Sequence, residues 1–148
     1  MAPHKPDALT QITRLLAATD KTRAQLVAAL ERRGHSQSEI ETAVERARAL
    51  GYLDDNRVAH RKARAELQAG WAGEALLGRL LASGLEESTA RAAVKEAIAE
   101  SGWDALKAAR ELVASRQIEG AKAARFLAGR GYEEDLVERV IGTGEIER

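Results

Sequence analysis

The 148-residue chain contains no cysteine, few aromatics (3%) and three histidines. Without thiols it can form neither disulfides nor thiolate metal sites, a composition that suits a reducing cytoplasm. His4, His35 and His60 are scattered, so neither a metal centre nor a cofactor is expected. Both prolines lie in the opening "MAPHKPDALT", which holds no apolar core of signal-peptide length. No later apolar run approaches the roughly 18 residues that a membrane-spanning helix needs. The chain therefore reads as soluble and cytoplasmic, with no membrane partner. An excess of one charge is also lacking, because 23 basic residues balance 23 acidic ones. No global field draws the chain onto nucleic acid or a membrane surface, and any such contact must come from a local patch.

What is present is 45% hydrophobic residues, mostly Ala, Leu and Val, a mixture that favours helix over strand. Leu9, Ile12, Leu15 and Leu16 have helical spacing. Thr22 with Gln25 forms a capping-box pattern opening "TRAQLVAALERRG", which stops at Gly34. Ser36 with Glu39 repeats the device. The helix it opens carries Ile40, Val44, Ala47 and Leu50 on one face and ends at Gly51.

Placing Gly34, Gly84 and Gly131 in register, 50 and then 47 residues apart, aligns "LVAALERRGHSQSEIETAV", "LLGRLLASGLEESTARAAV" and "AARFLAGRGYEEDLVERVI". Leu30, Leu80 and Leu127 then fall together before the glycine; Ile40, Ala90 and Val137 fall together after it, followed by Val44, Val94 and Ile141. One further helical segment precedes each pair, at residues 8–18, 56–69 and 103–117. The expected architecture is all-α: three tandem three-helix repeats at 8–53, 54–100 and 101–142, between flexible ends at 1–7 and 143–148. Such units stack into an elongated array stabilised largely by neighbour interfaces. Each register glycine is expected to supply a left-handed cap between the second and third helices. Trp103 reads as core. Trp71, which follows Gly70 at a helix junction, is open equally to packing and to partner contact.

The stretch "GYLDDNRVAHRKARAELQAG" joins the first two repeats. Gly51 ends one helix, and Asp54 or Asp55 is a good N-cap for the next, its carboxylate meeting first-turn N–H groups. On that helix Arg57, His60, Arg61 and Arg64 fall within an arc of about 100°. No acid occurs on it before Glu66, so the stripe reads as an uncompensated cationic face, available to phosphates or carboxylates. Its bland alternative is a solvated surface.

No nucleotide-binding loop and no pairing of nucleophile with base is present; "AGWAGEALLG" lacks both the preceding strand and the phosphate lysine. Glu86 with Glu87, and Glu133, Glu134 and Asp135, stand at helix starts, where the dipole favours acids. No enzyme is expected.

The repeats and the "GYLDD" junction resemble the RecX family, bacterial regulators of the RecA recombinase. The resemblance spans roughly residues 19–142. It is carried by Gly51, Tyr52, Leu53, Asp54, Asp55, Arg57 and Ala59, and later by Gly70, Trp71, Leu76, Leu80, Gly84, Phe126, Leu127, Arg130, Gly131 and Tyr132. The chain departs from the family pattern at Val58, at Ala72 with Gly73, and at Ala75. The resemblance implies a curved array of three three-helix repeats and a non-catalytic monomer that binds RecA filaments on single-stranded DNA. Such a protein would restrain filament growth, ATP hydrolysis, strand exchange and co-protease activity in DNA repair and the SOS response. Arg57, His60, Arg61, Arg64 and Trp71 are the candidate partner contacts, with single-stranded DNA as a weaker partner. Gly34, Gly51, Tyr52, Asp54, Asp55, Gly84 and Gly131 are the expected junction residues. Two other readings stay open: a direct DNA binder using a helix-turn-helix unit, and a helical scaffold for another protein.

Overall fold

The computed structural model describes residues 6–146, which form nine α-helices and no strand. They are α1 (Ala8–Ala18), α2 (Arg23–Arg32), α3 (Gln37–Ala49), α4 (Asp55–Gln68), α5 (Gly73–Ala82), α6 (Glu87–Ser101), α7 (Ala105–Arg116), α8 (Gly120–Gly129) and α9 (Glu134–Ile146). Of the ends expected to be flexible, residues 1–5 and 147–148 lie outside the described residues, as does His4. Asp7 caps α1, accepting from the Thr10 N–H at 2.8 Å.

Local chemistry sets the helix ends. Thr22 and Ser36 form full capping boxes with Gln25 and Glu39. Past α2, Gly34 takes a positive φ of 84°, and the His35 N–H returns to the Leu30 carbonyl. The same return bond recurs at Tyr132, from its N–H to the Leu127 carbonyl. Past α3, Leu50 is exposed rather than part of the buried face, because the chain turns at Gly51 and tucks Leu53 under the unit instead. The expected run of Ile40, Val44, Ala47 and Leu50 thus loses its last member at the cap.

Three cores result, one for each set of three helices. Ile12, Leu26, Leu30, Ile40 and Val44 fill the first; Leu67, Leu76, Leu80, Leu85 and Ala90 the second; Val113, Leu127, Tyr132 and Val137 the third. All extensive helix packing is internal to a unit: α1 on α3, α4 on α6, α7 on α9, with the middle helix of each unit bridging. Contact between neighbours is narrow but reaches the cores: Ala72, at the start of α5, is buried in the third core, and Trp103 packs against both the second and the third. The accessible surface, 9478 Å² for 16.0 kDa, exceeds the roughly 7,400 Å² of a compact globule of that mass.

The units meet through narrow seats. Thr22, fully buried, caps α2 by accepting from the Gln25 N–H at 3.1 Å and donates its own proton to the Ser83 carbonyl at 2.6 Å. Fifty residues on in the register, Ala72 opens α5 without a side-chain cap, and its backbone N–H donates to the Arg130 carbonyl at 2.9 Å. In each case the start of one unit's second helix rests on the residue before the next unit's register glycine. A Cβ at Gly84 would overlap the Ala24 methyl, and one at Gly131 would overlap the Ala72 carbonyl. Glycine there does more than allow a left-handed turn: at Gly131 it lets two backbones touch, and at Gly84 it makes room for the Ala24 methyl.

Candidate functional site

The α4 stripe begins at the Asp pair. Asp54 is the N-cap, its Oδ1 accepting from the Asn56 and Arg57 N–H groups at 3.0 and 3.3 Å. Asp55 faces the other way, accepting from the Arg23 N–H at the start of α2 at 2.8 Å. One acid starts α4 and the other ties it to the first unit. Tyr52, expected as a junction residue, contributes only its backbone, donating to the Ala47 carbonyl at 2.9 Å, while its ring is exposed.

Val58, Ala59, Ala63 and Leu67 are buried and fix the rotation of α4, so that Arg57, Arg61 and Arg64 face outward. The stripe is nevertheless not uncompensated. Arg61 forms a two-pronged pair with Asp20, at 2.8 and 3.1 Å, and the half-buried His60 donates from Nε2 to Glu100 at 2.9 Å. These acids lie 41 and 40 residues away in sequence, which is why helical spacing on α4 could not reveal them. Arg57 and Arg64 keep no carboxylate partner among the described residues. Arg57 opens into a polar cleft of about 510 Å³ between the first two units, lined also by Arg23, Arg48, Asp55 and Glu86. Arg48 is held by Glu45, whose carboxyl that contact keeps below the ordinary range.

Trp71 does not join this stripe; it follows the C-terminal end of α4. Its indole lies under two guanidinium groups, Arg79 at 4.2 Å and Arg130 at 4.5 Å from the ring centroid. Arg130 also covers Phe126 at 4.9 Å, and Arg116 covers the same ring at 4.6 Å. The result is a continuous stack, Arg79, Trp71, Arg130, Phe126 and Arg116, crossing from the second unit to the third. Arg79 is anchored by Glu66, and Arg130 donates to the Ala69 carbonyl at 2.8 Å. Phe126 and Arg130 belong to the family pattern, but their meeting with Trp71, with Arg130 61 positions after Ala69, had no local sign.

Trp103 packs between the second and third cores and stacks on Tyr132 with ring centroids 6.4 Å apart. Burial pushes the Tyr132 phenol up. Among the described residues no cluster of His, Cys, Asp or Glu could hold a metal, and no helix is long and apolar enough to cross a membrane.

Residues 8–46 match the family model for the first three-helix domain of RecX. The regulatory protein RecX of Thermus thermophilus is 36% identical over 127 residues, covering 85% of this chain and 84% of its own. The chain belongs to the RecX family. RecX of Syntrophotalea carbinolica is 37% identical over 97 residues, 65% of this chain and 63% of that one. The fold is that of the crystal structure of RecX from Lactobacillus salivarius, with a TM-score of 0.71 over 94% of this chain and 95% of that one, at 15% identity. RecX relatives are regulatory proteins rather than members of a known enzyme family.

Proposed function

We propose that this RecX protein is a non-catalytic, monomeric, cytoplasmic regulator of the RecA recombinase. It binds RecA filaments on single-stranded DNA and restrains their growth, ATP hydrolysis, strand exchange and co-protease activity. The observation that carries the reading is the 36% identity to a regulatory RecX across 127 residues, 85% of this chain. The architecture suits the task. A chain of similar units can touch successive protomers of a helical polymer, and linked weak contacts add up to tight binding without any single strong one.

Of the α4 stripe, Arg57 and Arg64 are the cations left for a partner's acids, while Arg61 and His60 are engaged within the chain. A helix-turn-helix mode of DNA binding fits less well. Of the two cations near the end of α3, Arg48 is tied to Glu45, and α3, α6 and α9 each begin with acids that would face phosphate. The test is co-sedimentation with RecA filaments on single-stranded DNA. The wild type pellets with the filament, and Arg57→Glu with Arg64→Glu reduces the pelleted fraction. A normally folded double variant that pellets as the wild type does would remove α4 from the contact. Failure of the wild type to pellet at all would remove RecA as the partner.

A further inference from the structure

The face that lacks compensating acids lies on α8, not α4. No Asp or Glu occurs between Glu119 and Glu133, a span that carries Lys122, Arg125 and Arg130. None of these, nor Arg116, has a carboxylate partner among the described residues. Lys122 is one helical turn before Phe126, on the same side of α8, and extends the line of charge begun by Arg130 and Arg116.

We propose that the α8 face, together with the stacked Trp71, Arg130, Phe126 and Arg116, is a docking surface for an Asp/Glu-rich segment of a protein partner. Arg116, whose flat side rests on Phe126, keeps its N–H edge free and loses little side-chain freedom on binding, while Arg130 is held in place by the Ala69 carbonyl. That edge matches a carboxylate with two parallel hydrogen bonds. Trp and Arg in a half-buried setting are also the residues that most often dominate protein interfaces.

A single nucleic-acid strand fits less well. Strand binders offer open aromatic faces to bases, whereas Trp71 and Phe126 each already stack with two arginines, one of which a base would have to displace. The zero net charge of the chain also provides no long-range attraction for a polyanion, while a short acidic segment needs only the local patch. The proposal stands apart from the RecA reading, and its test contains no recombinase.

The probe is a fluorescently labelled peptide of alternating Asp and Glu, followed by anisotropy and compared with an oligothymidylate of equal charge. The peptide binds the wild type, and more tightly than the oligothymidylate does. Arg116→Glu with Lys122→Glu weakens it about tenfold or more, and the neutral pair Arg116→Gln with Lys122→Gln weakens it less. Arg14→Glu with Arg32→Glu, an equal change of charge on exposed positions of the first unit, leaves binding unchanged. Absence of peptide binding, equal loss in both charge-reversed variants, or tighter binding of the oligothymidylate would each overturn the proposal.

Discussion

At Gly131 a side chain would meet the Ala72 carbonyl and the Ala75 methyl, in a backbone with φ of +99°. At Gly51, with φ of +80°, nothing stands within 4 Å. The pair separates two roles that look identical in the sequence, since both glycines end helices. Gly51→Ala meets only the left-handed backbone and costs about 1 kcal/mol. Gly131→Ala adds an overlap with backbone that cannot rotate away. It lowers the urea unfolding free energy by at least a further ~2 kcal/mol, on the scale of other overpacked sites. Equal losses at the two positions would show that the seat between the second and third units contributes nothing. The left-handed turns were legible because glycine after a helical run is a local sign. The close approach was not, because its other half lies in the preceding repeat.

Along single helices the sequence was most informative, since caps and apolar faces are set by residues a few positions apart. Both capping boxes stand where Thr22 with Gln25 and Ser36 with Glu39 placed them. In the second of these, hydrogen bonds from Ser36 hold the Glu39 carboxyl below its ordinary value of 4.5, with a smaller contribution from His35. A carboxyl lowered by folding stabilises the fold above its unfolded value, and that stabilisation is lost as pH falls through the folded value. Glu39→Gln keeps the capping hydrogen bond but removes the charge. The wild type is therefore more stable than the variant at neutral pH, and the two converge in acid well below pH 4.5. Urea midpoints measured across that range check this, and a difference independent of pH would contradict it. What helical spacing could not supply was the surroundings of α4: Asp20 comes from the loop before α2 and Glu100 from α6. A stripe that looks bare on one helix is half covered in the folded chain, and the bare cationic face lies on α8 instead.

Across the whole molecule the three-unit organisation was readable from three glycines, because each unit repeats the same solution to closing a small helical core. How the units join was not readable, since the seats use one hydroxyl in Thr22 and one backbone N–H in Ala72 to reach equivalent carbonyls. This arrangement concentrates the coupling between units in a few contacts to backbone carbonyls. Whether this chain restrains RecA is tested most directly by the rate of RecA ATP hydrolysis on single-stranded DNA with purified protein added. The expected result is that the rate falls as the protein approaches the concentration of RecA, and that Arg57→Glu with Arg64→Glu weakens the effect. An unchanged rate with the folded wild type at concentrations comparable to RecA would contradict it.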